Sequence, residues 1–391
     1  MHSRKKPIVI VGSGFAGINA AFTLKRLNPT IAILVIDSQA KFIFKPLLYE
    51  VLSDEMQEWE AATEFEEIFA NSGITFLNNN LLSVDLDERS LTFQNNLILH
   101  YEYLVISTGS KNNTFSIEGV DKYCHFFNNL NDLKNLKMGL AKSLNKSGMK
   151  NLSIIGAGPS GVELACKLFD MYPNVFKISV IERSKEVLNQ NKTFNREEAE
   201  KAIKDRNIKV LLNTSVEEIH ENQILLKDKY NHDIQWDYDL VIWAAGIKPT
   251  LPIFEQEVQK INQKIATNVK LQLKSYENVF VIGDISVIKG FETLPSTAQN
   301  AMQQGIHVGV NLNLLLNGKE LLDYQFMDNG EMISLGIGKA SLSGLGLTLS
   351  GKFAFELRRL IYASKMPIFQ NSFKSAAAWL INKKNIFNNT N

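Results

Sequence analysis

Lys6-Pro-Ile-Val-Ile-Val-Gly-Ser-Gly-Phe-Ala-Gly17 is the stretch whose reading decides the fold class. Ile8 to Val11 is a continuous run of β-branched residues, the mark of a strand buried on both faces. Gly12, Gly14 and Gly17 follow in GxGxxG spacing, and Ile18 to Leu27 is predicted as a helix ending near Pro29. A second apolar strand, Ile31 to Ile36, ends in Asp37, twenty residues past the last glycine. In such a unit the first glycine makes the tight turn. The second lets a pyrophosphate approach the backbone, and the third brings helix against strand. The helix N-terminus offers free N–H groups and partial positive charge to phosphates, and Asp37 can accept hydrogen bonds from a ribose diol.

The same grammar repeats. Asn151-Leu-Ser-Ile-Ile-Gly-Ala-Gly-Pro-Ser-Gly161 carries Gly156, Gly158 and Gly161, with a helix expected over Val162–Asp170. A strand over Ile178–Ile181 ends in Glu182, twenty-one residues past Gly161. Pro159 fits because the first helical turn has no use for its missing N–H. Two such units imply two dinucleotides. Tyr103-Leu-Val-Ile-Ser-Thr-Gly-Ser110 and Tyr238-Asp-Leu-Val-Ile-Trp-Ala-Ala-Gly246 are buried strands with small-residue turns, and Asn278-Val-Phe-Val-Ile-Gly-Asp284 places an acid at a strand's carboxyl end. Ligands of open α/β sheets bind at such ends.

Length and composition set the outer bounds. At 391 residues the chain is too long for one ordinary core and suggests two domains with a smaller appendage. Its 45% hydrophobic and 21% charged residues exclude disorder, collagen-like and coiled-coil classes. With 42 basic and 41 acidic residues, no global field draws it to nucleic acid. Cys124 and Cys166 lie in no metal or redox spacing, read as buried small hydrophobes, and no metal site is expected. No apolar run approaches the roughly 18–20 residues that span a bilayer. The start of the chain leaves no room for a signal peptide, so a place on the cytoplasmic side is expected.

First glycine loop, TG turn, second glycine loop, AG turn and GD strand follow the order of the two-dinucleotide-binding flavoproteins, which this chain resembles. The resemblance implies an α/β fold of two Rossmann-like domains. Residues 1–118 and 266–330 would bind FAD, 119–265 would bind NAD(P)H, and 331–391 would form a C-terminal amphipathic membrane-association region. Lys41 to Glu50 lacks the cysteine pair of the disulfide reductases, and the C-terminal half lacks the cysteine of the sulfide:quinone oxidoreductases. Three further segments narrow the likeness: Phe42-Ile-Phe-Lys-Pro-Leu-Leu-Tyr-Glu-Val51, Trp243-Ala-Ala-Gly246 and Leu294-Pro-Ser-Thr-Ala-Gln-Asn-Ala-Met-Gln-Gln-Gly305. They resemble the type II NAD(P)H:quinone oxidoreductases, single-subunit membrane-surface dehydrogenases that pump no protons. Gly351-Lys-Phe-Ala-Phe-Glu-Leu-Arg-Arg-Leu-Ile-Tyr362 is most similar to the cyanobacterial and plastid branch, in which demethylphylloquinone, a naphthoquinone, is the acceptor.

The resemblance also implies roles. FAD would be held by Gly12, Gly14, Phe15, Ala16, Gly17, Asp37, Ser38, Lys45, Pro46, Leu47, Leu81, Thr108, Gly109, Gly283, Asp284, Thr297, Ala298 and Gln299. NAD(P)H would be held by Gly156, Gly158, Pro159, Ser160, Gly161, Glu163, Glu182, Arg183, Ala245 and Gly246. Glu163 would contact the nicotinamide; the alternative is an acid favouring a helix N-terminus. Lys45 would stabilise charge on the reduced flavin; the alternative is a solvated surface lysine. Gln299 and Gln303, four apart on one helix face, would donate to quinone carbonyls; the alternative is two ordinary surface glutamines. Glu182 should favour NADH by repelling a 2′-phosphate, while Arg183 could receive one, so both cofactors stay open.

From Gly351 onward there are seven basic residues (Lys352, Arg358, Arg359, Lys365, Lys374, Lys383 and Lys384) and one acid, Glu356. Phe353, Leu357, Leu360 and Ile361 fall at helical spacing before Pro367, and Phe369, Phe373, Ala376 and Leu380 make a second stripe beside Trp379. A basic amphipathic helix with aromatics suits an anionic membrane surface, here through 352–387. The location expected is therefore peripheral, at a plasma or thylakoid membrane if the source is cyanobacterial. The alternative is a tail packed on the body or on a second copy in a homodimer. Two other functions compete with quinone reduction: a flavin reductase serving a ferredoxin-like protein, and a flavin-based redox sensor.

Overall fold

Both glycine loops sit where a parallel sheet reverses its strand order. A computed structural model describes residues 6–145 and 147–367. The chain divides into two units: Met1–Ile43, Ala62–Lys111 and Lys248–Met327 form the first; Phe44–Ala61, Asn112–Ile247 and Asp328–Asn391 form the second. Both the excursion Phe44–Ala61 and the C-terminal stretch Asp328–Asn391 group with the second unit.

In the first unit the parallel strands lie in the order Thr75–Asn78, Ile33–Asp37, Ile8–Val11, Tyr103–Ile106, Tyr276–Val281. Ile8 pairs with both Ile33 and Tyr103, and Val279 with Leu104. The second unit repeats the pattern with Lys209–Leu211, Phe176–Ile181, Lys150–Ile155 and Leu240–Trp243. Counted from each glycine strand, the orders are 3-2-1-4-5 and 3-2-1-4, so the loops fall at the switch point. Val9, Ile106, Val279 and Val281 are fully buried in one core; Ile224, Leu226 and Val241 are in the other. Each such side chain contributes roughly 1.5–3 kcal/mol of burial. The first helix begins at Phe15 and the second at Pro159, a full turn earlier than hydrophobic periodicity alone indicates, because the glycine loops already start the helices.

The helix Ala298–Leu316 packs along Phe15–Leu27. A Cβ at Gly305 would come within 2.2 Å of the Ala16 carbonyl, and one at Gly309 within 2.7 Å of Thr23 Cβ. Small residues four apart thus let two backbones approach, and they hold the start of the later helix near the Gly283-Asp284 turn.

Among the described residues, the second unit closes with an antiparallel sheet of Glu331–Ser334, Ala340–Gly344 and Leu347–Ser350, then the helix Gly351–Ser364. Ala354 and Phe355 pack with Ala340. This corrects one expectation, the place of Arg358 among the membrane-facing cations. The buried face of the helix carries Ala354, Phe355, Arg358 and Ala363, while Phe353 and Leu360 are 68% and 58% exposed. Arg358 is fully buried, so it cannot be one of the lipid-facing cations. The second stripe (Phe369, Phe373, Ala376 and Leu380, with Trp379) lies outside the described residues. No helix among those described is long and apolar enough to cross a membrane.

Candidate functional site

The two glycine loops are built alike, atom for atom. Gly12 N–H donates to Ile36 O and Gly156 N–H to Ile181 O, both at 2.8 Å. A Cβ at Gly17 or Gly161 would lie 1.8 Å from the carbonyl of Gly12 or Gly156. A Cβ at Gly14 or Gly158 would meet nothing within 4 Å. The first and third glycines are demanded by the protein's own backbone, while the middle one faces open space where a phosphate can approach. Gly14 and Gly158 are also the N-caps, and neither helix start has a side-chain cap, so its N–H groups remain available to an anion. Phe15 and Ala16, and likewise Pro159 and Ser160, occupy those first turns.

Each strand-end acid closes its loop in the same way. Asp37 accepts from Ser13 N–H at 2.6 Å and Gln39 N–H at 2.8 Å. Glu182 accepts from Ala157 N–H and Ser184 N–H, both at 2.6 Å. A ribose acceptor is therefore also a brace for the glycine turn. Burial raises the Asp37 carboxyl pKa, against the lowering by the Gln39 and Ser13 amides. Ser38 follows Asp37, and Arg183, beside Glu182, is exposed.

The remaining residues expected at FAD in the first unit gather at the strand ends. Ser110 Oγ donates to Asp284 at 2.6 Å, and Gln304 Oε1 accepts from Gly283 N–H at 2.6 Å. Thr108 donates to Thr250 O at 2.5 Å beside Gly109. Thr297 caps the helix that starts at Ala298, and Leu81 opens a neighbouring strand. Lys264, which sequence reasoning missed, donates to Ser296 Oγ at 2.6 Å and lines a cleft with Gly283, Asp284 and Thr297. Uncapped N–H groups, an open middle glycine and a cation facing an acid fit a dinucleotide. Gln299 and Gln303 share one helix face, and both donate to the Met327 carbonyl.

In the second unit, Lys45 is exposed and donates to Asn128 at 2.9 Å, with Pro46 and Leu47 completing its short helix. Ala245 and Gly246 follow the strand Leu240–Trp243, where Gly246 takes φ 143°. Glu163 is buried on the second glycine helix. It accepts from Ser334 N–H at 2.8 Å, lies 3.6 Å from Arg358 Nη2, and hydrogen-bonds Tyr49. Burial pushes its pKa up to about 7, against the lowering by Arg358. Burial, followed by the charge of Glu163, pushes Tyr49 well above its ordinary value, so its hydroxyl stays a donor.

Arg358 also donates to Glu50 at 2.5 Å and to Pro46 O at 2.7 Å. Glu50 lies 4.0 Å from buried Lys167, which is itself paired with Glu55. Sequence reasoning missed Tyr49, Glu50, Lys167 and Ser334. Glu50 stood in a segment already singled out, but its partner is more than three hundred positions away and no local pattern joins them. Both cysteines have thiols pushed by burial to about 12, so neither is a thiolate relay at neutral pH. No cluster of metal-ligating side chains occurs among the described residues.

The chain belongs to the pyridine nucleotide-disulphide oxidoreductase family, whose model matches residues 6–305. Within it, the chain is a type II NAD(P)H:quinone oxidoreductase by family, as the sequence resemblance implied. It is 33% identical to demethylphylloquinone reductase NdbB of Synechocystis sp., over 97% of each chain. It is 25% identical to a type II NADH:quinone oxidoreductase of Staphylococcus haemolyticus, over 92% of this chain and 95% of the relative. A solved structure of NDH2 from Plasmodium falciparum in complex with NADH shares the fold at TM-score 0.87 and 20% identity, covering 97% of this chain and 98% of that one.

Proposed function

We propose that this protein catalyses NAD(P)H + H⁺ + quinone → NAD(P)⁺ + quinol with a non-covalent FAD. The observation that carries the reading is the pair of equivalent glycine loops, each with an uncapped helix start and a strand-end acid. FAD, when bound, supplies hydride acceptance and electron delivery. The chain supplies position and electrostatics. Gly14 and the Phe15–Ala16 amides would receive the FAD pyrophosphate, Asp37 a ribose diol and Asp284 the ribityl chain. Gly158 and Glu182 would do the same for NAD(P)H, with Glu182 disfavouring a 2′-phosphate. Glu163 would meet the nicotinamide side, and its pKa of about 7 lets it hold or release a proton near neutrality. Gln299 would donate to a quinone carbonyl. Hydride transfer requires reacting atoms to approach within roughly 3–3.5 Å.

The acceptor we infer is a naphthoquinone of the demethylphylloquinone type, a reading supported by the Synechocystis relative. A quinone with a lipid tail lives in the bilayer, and we assign membrane contact to the C-terminal region, on the cytoplasmic side. Leu345, Leu347, Phe353 and Leu360, from the last hairpin and the helix after it, are 58–80% exposed. Lys352 is exposed beside them in sequence. These side chains support lipid contact without Arg358. One anaerobic experiment tests the activity: the yellow protein is bleached with NADH or NADPH, then reoxidised with benzo- and naphthoquinones. Bleaching without reoxidation by any quinone would refute the proposal.

A further inference from the structure

The segment after the helix Ala298–Leu316 crosses that helix without joining a sheet. Its backbone groups still need partners, and the helix provides them from side-chain carboxamides. Gln303 Nε2 donates to Met327 O at 2.8 Å, while Gln303 Oε1 accepts from Met327 N–H at 2.9 Å. Two turns further along, Asn311 Nδ2 donates to Leu322 O and Asn311 Oδ1 accepts from Leu322 N–H, both at 3.0 Å. Asn300 Oδ1 accepts from Tyr324 O–H at 2.7 Å. A carboxamide offers one acceptor beside one donor, the pair a neighbouring strand would present. Gln303 and Asn311 therefore act as single rungs of a ladder.

This separates two glutamines that look equivalent in sequence. Gln303 is committed at both ends to Met327. Gln299 makes one longer bond, Nε2 to Met327 O at 3.3 Å, to a carbonyl that Gln303 already holds. We propose that Gln303 is a positioning residue and not a quinone ligand: it locks the Met327 backbone, and the locked carbonyl aims the Gln299 carboxamide that meets the quinone. The inference rests on the quinone reading of Gln299 above and narrows it to one glutamine.

The test uses the full-length flavin-loaded protein and menadione as the quinone, with flavin reduction by NADH and reoxidation measured separately. Gln303→Met keeps the length of the side chain and removes both hydrogen bonds. Misaiming Gln299 should slow reoxidation at saturating menadione roughly ten- to hundredfold, since small misplacements cost that much, and leave reduction by NADH intact. Gln303→Glu adds a signature that packing cannot imitate. An ionised carboxylate repels the Met327 carbonyl, whereas a protonated one presents the same donor–acceptor pair as glutamine. Its deficit relative to the parent should shrink as pH falls from 7 to 4, through the ordinary glutamate range, and that of Gln303→Met should not. If Gln303→Met does not hold FAD, the same split between the KM for menadione and the saturating rate is read on Gln303→Glu at pH 8. A pH-independent deficit in Gln303→Glu would overturn the inference. So would a Gln303→Met that raises the KM for menadione at unchanged saturating rate, which marks a direct ground-state contact. Gln299→Met separates the two levels. If it leaves reoxidation intact, the quinone reading itself fails; if it slows reoxidation while both Gln303 variants behave as the parent, only the positioning role fails.

Discussion

Replacing Arg358 by methionine removes a guanidinium from between two buried carboxyls while keeping most of the side-chain volume. In the parent it donates to Glu50 at 2.5 Å and to Pro46 O at 2.7 Å, and it sits 3.6 Å from Glu163. Glu50 is fully buried, and its Oε2 has no hydrogen-bond partner. The variant leaves Glu50 with only Lys167 at 4.0 Å, and Lys167 is already paired with Glu55. Breaking a buried pair from one side costs about 3–5 kcal/mol, roughly a 10²- to 10⁴-fold change in the folding equilibrium. Trp59, Trp236 and Trp243 all belong to the second unit, so tryptophan fluorescence during urea unfolding reads the unit in which the loss occurs. Glu50→Gln combined with Arg358→Met should recover most of the loss, because a neutral amide beside methionine leaves no charge uncompensated. Lys352→Met, at an exposed position, should change stability by no more than about 0.5 kcal/mol. An Arg358→Met midpoint within that same margin would refute the buried pairing. Unchanged stability together with weakened binding to anionic vesicles would return Arg358 to the lipid-facing role read from its sequence.

Two other substitutions probe the second glycine loop and its acid. The folded Glu163 carboxyl keeps its proton up to about pH 7, whereas the unfolded one releases it near 4.5. The folded state therefore binds more protons between those values, and stability falls as pH rises through that window, by about 3 kcal/mol. Glu163→Gln should abolish this slope, so its urea midpoint should gain on the parent between pH 5 and pH 8; parallel pH dependences would refute the raised pKa. Glu182→Ala removes the acceptor for the Ala157 and Ser184 amides as well as the ribose acceptor. KM should rise for both cofactors and more for NADH than for NADPH, and an equal rise would show that the carboxylate only braces the loop.

The nucleotide-binding architecture was legible in the chain because its signals are local. Gly12, Gly14 and Gly17, and again Gly156, Gly158 and Gly161, answer to backbone clearances set within one strand–turn–helix unit, so spacing alone carries the information. Asp37 and Glu182 could be placed at strand ends for the same reason. Helical spacing also put Gln299 and Gln303 on one face. It could not say that one of them is held at both ends by Met327, because that depends on where a segment more than twenty residues later crosses the helix. The charge of Arg358 was equally visible and its direction was not. The stripe of Phe353, Leu357, Leu360 and Ile361 with its basic neighbours reads as a surface for lipid, and Phe353 and Leu360 are indeed exposed, while Arg358 turns inward to Glu50. Hydrophobic periodicity assigns faces by average polarity, and a buried carboxylate supplied from a distant segment reverses that assignment at one position. Glu163 shows the same division: its place on the helix after the second glycine loop followed from sequence, although the helix starts at Pro159 and so carries it past the first turn, and its neutral-range pKa arose only when Tyr49, Ser334 and Arg358 enclosed it. Local geometry determines where a phosphate can sit, while long-range packing determines which side chains keep their charge.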